Sequence, residues 1–190
     1  MEKGLYDSFA ERWYRGGSIW LYSDPHFSDP EMQYIRRNYI GDDEQIKRIN
    51  SCIGKKDTLI ILGDIGDVNQ VKKLRGYKVL IMGNHDSGAS NYKSFFDEVY
   101  EGPLWIADRL LLSHEPISLP FALNIHGHDH SGIERQPNCF NVCAENINYK
   151  PVCLKHILAS DLRKNIDSIH RITIDNATER SKKKAKNSKN

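Results

Sequence analysis

The feature that most constrains this chain is a short apolar run that ends abruptly in a cluster of polar side chains. Residues 78–82 (KVLIM) have the length and β-branched content of a buried strand, and Gly83 ends the run. Asn84, His85 and Asp86 follow directly, and all three side chains can bind a metal ion or move a proton. Open α/β sheets build their sites at the carboxyl ends of such strands, although Gly-Asn and His-Asp also occur in ordinary turns.

Four further apolar runs end in the same kind of polar cluster. These runs cover residues 18–23, 58–62, 109–112 and 122–125, and each is short enough to form one strand. The carboxyl ends of neighbouring parallel strands meet at one edge of a sheet, so the fold can bring the clusters together. The polar residues that follow the runs are Asp24, His26, Asp64, Asp67, His114, His126, His128 and His130.

Helical patterns alternate with the first strands, and the later strands crowd together. Asp42 or Asp43 could cap a helix that places Ile46, Ile49 and Ile53 on one face. The other predicted elements are short helices at residues 68–74 and 92–99, a hairpin at 104–112, a strand at 140–144 and one C-terminal helix from Leu154 onward. This order predicts an α/β fold with two packed β-sheets flanked by helices, a four-layer α/β/β/α sandwich.

Length and composition bound the organisation of the chain. A length of 190 residues predicts one domain, which we assign to residues 1–179. No apolar run approaches the roughly 20 residues that cross a membrane, so we predict no membrane partner. The cysteines form no Cys-x-x-Cys pair, which argues against a structural zinc site. They are predicted to be buried free thiols, which suit a reducing compartment, so we predict a cytoplasmic location. Residues 180–190 carry six positive charges and almost nothing apolar, which predicts a disordered basic tail.

The polar clusters combine imidazole nitrogens with carboxylate and amide oxygens. Donors of this kind without thiolate fit manganese, iron, zinc or nickel. Two cations that lie close together need a shared anion, and a carboxylate such as Asp64 can bridge them. Paired metal ions about 3.5–4 Å apart serve displacement at phosphorus. The sequence therefore indicates two divalent metal ions and chemistry on a phosphate ester.

Five blocks of the chain together resemble the calcineurin-like metallophosphoesterase superfamily, in particular its small single-domain bacterial and phage members. The second block of the superfamily often reads Gly-Asp-x-x-Asp, and residues 63–67 (GDIGD) match it. Residues 140–145 and 148–152 are similar to the ending of the small members, and the five blocks span about residues 18–131. The blocks in chain order are Asp24-x-His26, Gly63-Asp64, residues 83–86 (GNHD), His114 and residues 127–130 (GHDH).

The resemblance implies a role for each matching residue. His85 would face the leaving group, Asp86 would orient His85, and a hydroxide that bridges the two metals would attack phosphorus. Manganese is the preferred metal, with iron, zinc or nickel as alternatives. The implied ligands are Asp24, His26, Asp64 and His130 for the first metal, and Asp64, Asn84, His114 and His128 for the second.

Some nearby residues have explanations that are simpler than catalysis. His126 is predicted to be structural or to lie behind the ligands, and Asp67 is predicted to support its loop. Arg36 could meet a phosphate, but a solvated helix face is the preferred interpretation. His114 lies in a Ser-His-Glu-Pro stretch that could be a simple turn. Glu115 stands where small bacterial members often carry an uncharged side chain, so the local substrate contact is left open.

These inferences predict a dinuclear metal-dependent phosphoesterase. The preferred substrate is a small phosphodiester or a nucleotide, because no large insertion could form a cap over the site. The alternatives are a phosphomonoesterase or protein phosphatase, and a nuclease that holds nucleic acid through the basic tail. Nucleic acid is not favoured, since the chain has no aromatic and basic stripe to track a strand. A metal-binding scaffold is the non-enzyme alternative, although the intact His85-Asp86 pair argues against it.

Overall fold

The structure is a computed structural model that describes residues 11–36, 38–107, 109–134, 136–167 and 169–187. Strands form at β1 (Ile19–Tyr22), β2 (Thr58–Ile61), β3 (Tyr77–Ile81), β4 (Glu98–Tyr100), β5 (Leu104–Ala107), β6 (Leu110–Leu112), β7 (Leu123–His126), β8 (Cys139–Asn141) and β9 (Val152–Cys153). Helices form at α1 (Met32–Ile35), α2 (Asp42–Cys52), α3 (Leu154–Ala159) and α4 (Ile169–Asn187), with 3₁₀ helices at Val68–Lys73, Ala89–Asn91 and Asp161–Asn165.

The first sheet has five strands in the order β4-β3-β2-β1-β9, and β1 to β4 are parallel. Its central strand β2 is buried along its whole length, which explains its uninterrupted apolar sequence. Ile60 of β2 joins a core shared with the second sheet, whereas Leu59 and Ile61 join a core with Ile46 and Ile49 of α2. The alternation of side chains along the strand thus fills two separate cores.

The second sheet has four strands in the order β5-β6-β7-β8, with β5 and β6 antiparallel and the other pairs parallel. Leu21 and Ile81 of the first sheet and Leu112 and Ile125 of the second belong to one buried apolar cluster. This cluster is the core between the two sheets. The prediction of an α/β fold with two packed sheets flanked by helices is confirmed, as is the hairpin at β5 and β6.

The segment from residue 92 to 99 differs from the prediction of a helix. The structure has turns there, followed by strand β4, which pairs with the edge of β3 through Val79 and Glu98. The local sequence suggested a helix. However, the open edge of β3 provides hydrogen-bond partners for the backbone of this segment, and the local sequence does not reveal them. The predicted helix was therefore wrong, and β4 was missed.

Two helix boundaries also differ from the sequence prediction. Gly41, and neither aspartate, is the N-cap residue of α2. The Asp42 carboxylate instead accepts hydrogen bonds from the backbone nitrogen and hydroxyl of Ser28. The predicted single C-terminal helix is divided, because α3 ends at Ala159 and the side chain of Ser160 caps the following 3₁₀ helix. The short strand β9 before α3 was not predicted.

The basic end of the chain is helical as far as the structure describes it. Helix α4 continues from Ile169 to Asn187, where the sequence predicted a tail without structure from residue 180 onward. Alanine, lysine and arginine are strong helix formers, which explains why a segment with so little apolar surface can adopt this backbone. Residues 173–183 of α4 are all exposed. Among the described helices, none combines the length and hydrophobicity that a membrane crossing requires.

Candidate metal centre

Loops at the carboxyl ends of five strands carry the seven predicted ligands, and the fold brings all seven together. The loops after β1 and β2 stay paired beyond the strands, because Asp24 and His26 donate backbone hydrogen bonds to the carbonyls of Gly63 and Asp64. A parallel bridge between Ser23 and residue 143 joins β1 to the segment after β8. The ligands follow β1 (Asp24, His26), β2 (Asp64), β3 (Asn84), β6 (His114) and β7 (His128, His130).

Four of the seven ligand residues have left-handed backbone conformations. The φ angles are 54° for Asp24, 44° for His26, 55° for Asp64 and 66° for His128. Such a conformation costs a residue other than glycine about 1–3 kcal/mol and persists only where the surrounding structure enforces it. Four candidate ligands thus share this strained conformation, and backbone strain of this kind is common at functional sites.

The first half of the centre is formed by Asp24, His26, Asp64 and His130. The Asp24 Oδ1 atom lies 3.6 Å from His130 Nε2 and 3.9 Å from His26 Nε2. Asp24 Oδ1 and His26 Nε2 are buried and lack a hydrogen-bond partner among the described residues. Buried polar atoms are rarely left without a partner, so these two atoms fit a bound cation.

The second half is formed by Asp64, Asn84, His114 and His128. His114 Nδ1 lies 2.7 Å from the Leu62 carbonyl and must donate to it, so in the neutral imidazole His114 Nε2 presents a lone pair. That lone pair faces Asn84 Oδ1 at 2.8 Å, and His128 Nδ1 lies 3.0 Å from the same oxygen. Two acceptor atoms this close repel each other unless a cation lies between them, so this half also fits a metal.

One carboxylate oxygen belongs to both halves. Asp64 Oδ2 lies 3.5 Å from His26 Nε2 and 3.5 Å from His114 Nε2. The other oxygen, Asp64 Oδ1, accepts a hydrogen bond of 3.0 Å from the backbone nitrogen of His85, which fixes the carboxylate plane. Asp64 is therefore within reach of both halves, which is the geometry that a shared ligand of two cations requires.

Burial and charge act differently on the two imidazoles of the first half. Asp24 and Asp64 are buried carboxylates. Burial lowers the pKa of His26, against the opposing effect of both carboxylates, so this imidazole favours its neutral form. Burial also lowers the pKa of His130, but its hydrogen bond to Glu145 and the charge of Asp24 together raise the pKa above its ordinary value. The acidic surroundings favour divalent cations.

His85 occupies a different position from the ligands. Its imidazole is exposed, and its ring centroid lies 5.6 Å from that of His26 in an edge-to-face arrangement. The seven candidate ligands have side-chain atoms close to one another, and His85 is not among them. His85 therefore lies beside the centre rather than within it. This position suits a group that meets the substrate.

Asp86 does not have the predicted role of orienting His85. Its Oδ2 atom accepts hydrogen bonds from the backbone nitrogens of Asp64 and Gly83, at 2.9 and 2.8 Å. Its Oδ1 atom accepts from the backbone nitrogen of Ile65 and from the Tyr92 hydroxyl, each at 3.1 Å. Within the described part of the chain, no hydrogen bond joins Asp86 to the His85 ring. Asp86 therefore ties the loops after β2 and β3 together, and the prediction was wrong.

The structure adds two partners of the ligands that sequence reasoning missed. Glu145 accepts a hydrogen bond from His130 Nδ1. The Cys143 thiol donates to Asp24 Oδ2 over 3.1 Å, and burial together with the Asp24 charge raises the pKa of this thiol. The available signal was the resemblance of residues 140–145 to the family ending, which had suggested no role for either side chain.

The structure also shows the surroundings of three residues that the sequence set aside, Arg36, His126 and Asp67. Arg36 is buried against the back of the centre, so the prediction of a solvated helix face was wrong. His126 is buried and pairs with Glu134 at 3.1 Å, in line with a structural role. The Asp67 side chain accepts a hydrogen bond from Asn69 at the start of a 3₁₀ helix, so it supports its loop as predicted.

A cleft of about 290 Å³ lies next to the second half of the centre. Its lining includes the ligands Asn84 and His114, the carboxylate-bearing residues Glu101 and Glu115, and the apolar residue Ile117. Glu115, which the sequence left without an assignment, is thus part of the surface beside the ligands.

Comparisons with known proteins agree with this geometry. A family model described as calcineurin-like phosphoesterase matches residues 17–179. The uncharacterized protein MJ1445 of Methanocaldococcus jannaschii is 32% identical over 165 residues, covering 74% of this chain and 89% of that protein. The crystal structure of the protein of unknown function AQ665 from Aquifex aeolicus matches with a TM-score of 0.60 and 24% identity, over 76% of this chain and 99% of that chain. At this identity the structural match supports the fold alone. The family match spans both sheets and every loop of the centre, and this chain therefore belongs to the calcineurin-like phosphoesterase family.

Proposed function

We propose that the protein is a dinuclear metal-dependent phosphoesterase that hydrolyses a small phosphodiester or a nucleotide. The observation that carries this proposal is the position of Asp64 Oδ2, which is 3.5 Å from a ligand nitrogen in each half of the centre. A carboxylate shared in this way allows two cations to lie close together despite their repulsion. Membership of the phosphoesterase family supports metal-dependent hydrolysis as the general class of reaction.

Seven side chains would hold the two metal ions that this reaction requires. Asp24, His26, Asp64 and His130 would hold one divalent ion, and Asp64, Asn84, His114 and His128 the other. The bound pair would supply Lewis acidity and an activated water for displacement at phosphorus. Manganese is our preferred assignment, and imidazole with carboxylate donors also suits iron, zinc or nickel.

We assign His85 the role of assisting the departing oxygen. It is exposed beside the first half of the centre, and its own backbone nitrogen is fixed to Asp64 Oδ1 at 3.0 Å. An imidazole at the edge of the site can donate a proton to the leaving group, which typically accelerates such a step by about 10²–10⁴. Asp86 supports this function indirectly, because it holds the loop that carries His85.

The form of the site supports a small substrate. Asn84, His85 and His128 are exposed, so the centre is open to solvent on the side where a substrate would approach. The cleft of about 290 Å³ beside Asn84 and His114 has room for one substituent of a diester.

We further propose a cytoplasmic location, because Cys139, Cys143 and Cys153 are buried free thiols that suit a reducing compartment.

The test is hydrolysis of a chromogenic bis-aryl phosphodiester and of the matching monoester, each with added manganese after removal of metal by a chelator. We expect manganese to restore hydrolysis, with the diester preferred. Faster hydrolysis of the monoester would instead support a phosphatase. Faster cleavage of single-stranded DNA than of either ester would support a nuclease. No metal-dependent hydrolysis by a chain that binds metal would contradict the proposal and favour the scaffold.

A further inference from the structure

The orienting partner of His130 is a buried carboxylate. Glu145 lies in the turn after β8, and its side chain is only 3% exposed. His130 Nδ1 donates to Glu145 Oε1, which leaves His130 Nε2 directed at Asp24 Oδ1, 3.6 Å away. A carboxylate behind a ligand histidine fixes its tautomer and ring orientation and strengthens it as a ligand.

The charge on Glu145 is compensated from inside the protein. The Arg36 side chain is only 1% exposed, and its Nε atom lies 3.4 Å from Glu145 Oε2. Both atoms are buried, and neither has a hydrogen-bond partner among the described residues. A buried charge is costly unless it is paired, so each of these groups requires the other.

The far end of Arg36 reaches the loop that carries two other ligands of the first metal. Its terminal nitrogens donate to the backbone carbonyls of Asp24 and Pro25. One of them also lies 3.4 Å from Gln45 Oε1, and Gln45 in turn donates to the Pro25 carbonyl at 3.0 Å. Arg36 thus connects the backbone next to Asp24 with Glu145, and through Glu145 with His130.

The second half of the centre is supported differently. Its ligand His114 donates Nδ1 to the carbonyl of Leu62, which is a neutral acceptor. The first half has a carboxylate and a guanidinium behind His130, which is one of its two histidines. Because a charged acceptor raises the basicity of a ligand imidazole more than a neutral one does, this difference favours unequal affinity of the two metal positions.

We propose that Arg36 and Glu145 are positioning residues that make the first metal position the tighter of the two. They act through His130 and through the backbone at Asp24, without touching the metal or the substrate. This inference rests on the proposed metal centre, but it adds an order of filling that the proposed function does not require. Loss of a partner behind a ligand typically weakens metal binding by about 10–100-fold.

The experiment measures manganese binding to the metal-free full chain by equilibrium dialysis, with metal analysis by mass spectrometry. We expect two binding classes in the wild type. Glu145→Gln keeps the size and one acceptor of the side chain but removes its charge, so it should weaken the tighter class by about 10–100-fold. The weaker class should change by less than about threefold and serves as an internal check that the variant is folded.

Two further variants make the result specific. Glu145→Asp restores the charge on a shorter side chain and should recover part of the lost affinity. Glu44→Gln is the matched control, because Glu44 lies on α2 and pairs with Lys47 and Arg48 at the surface. It should leave both binding classes unchanged.

The possible failures are distinguishable. Wild-type binding in two classes with no change in Glu145→Gln, or with an equal loss in both classes, overturns the positioning role and leaves the proposed function standing. Failure of the wild-type chain to bind metal at all contradicts the proposed function, and the positioning role with it.

Discussion

Replacement of Gly127 by alanine tests how closely the loop after β7 packs against the first metal ligand. A Cβ atom at residue 127 would lie 1.9 Å from Ser23 Oγ, 2.6 Å from Ser23 Cβ and 2.3 Å from Asp24 Oδ2. Real Cβ contacts are essentially never below 3.0 Å, so the nearest atom is too close by about 1.1 Å. Rotation of the serine hydroxyl cannot relieve the clash, since Ser23 Cβ and the Asp24 carboxylate are also too close.

The displaced carboxylate is one that the fold holds tightly. Asp24 Oδ2 accepts hydrogen bonds from the His128 backbone nitrogen at 2.9 Å and from the Cys143 thiol at 3.1 Å. A shift of about 1 Å in a reacting or ligating group typically costs about 10²-fold in rate. Overpacking of a filled interior adds a loss of about 1–3 kcal/mol in the free energy of unfolding.

The assay combines kcat/KM for the bis-aryl phosphodiester, metal content and the melting temperature. We expect Gly127→Ala to lose about 10²-fold or more in kcat/KM and to bind metal more weakly. Gly41→Ala is the control, because a Cβ atom there would meet no other part of the structure within 4 Å beyond its own chain neighbours. Its stability should stay within about 1 kcal/mol of wild type. Wild-type metal affinity and turnover in Gly127→Ala would refute the packing of this loop on Asp24.

The remaining predictions separate the roles of individual groups. Asp64→Asn should lose metal and activity together because Asp64 is shared, whereas His26→Ala should weaken mainly one position; full metal content and normal turnover in the Asp64 variant would exclude a shared ligand. His85→Ala should be mild toward nitrophenyl esters and cost about 10²–10⁴ toward alkyl or nucleoside esters, with metal retained; equal losses across esters graded by leaving-group pKa would exclude a proton donor. Asp86→Asn should lower the melting temperature and reduce the hydrolysis of all esters by a similar factor. The reason is that it weakens hydrogen bonds to backbone nitrogens, which are worth about 1.5–3 kcal/mol each. A loss of activity confined to esters with poor leaving groups would instead support the role of Asp86 in orienting His85. Deletion of residues 181–190 should leave the melting temperature and small-substrate turnover nearly unchanged, since residues 173–183 are exposed; a large fall in melting temperature would show that this end packs on the domain.

The candidate ligands could be selected from the sequence because each belongs to a polar cluster at the end of an apolar run. Parallel strands place their carboxyl ends at one edge of a sheet, so residues far apart in the chain, such as Asp24 after β1 and Asn84 after β3, are expected to converge. The chemical types of these residues also restrict the possible function of the cluster. Imidazole and carboxylate groups that recur at several strand ends are rarely needed for structure alone, but they are common metal ligands. The two-sheet arrangement follows from the same order of apolar runs.

The supporting contacts could not be predicted because their partners are distant in sequence or lie on the backbone. Asp86 binds the backbone nitrogens of the loop after β2, and backbone groups carry no sequence signal. Arg36 looks like part of a solvated face in its local segment, and only the position of Glu145, far along the chain, shows why it is buried. Strand β4 exists because β3 has a free edge, which no pattern within residues 92–99 records.

The central claim is that two metal ions, joined by Asp64, are required for hydrolysis. Its most direct test is a titration of the chelator-treated full chain with manganese, in which phosphodiester hydrolysis is followed as a function of metal bound per chain. We predict that hydrolysis stays low while the first equivalent fills the tighter position, and reaches its maximum at two equivalents. Maximal hydrolysis at one equivalent, or hydrolysis that persists in the metal-free chain, would contradict the dinuclear account.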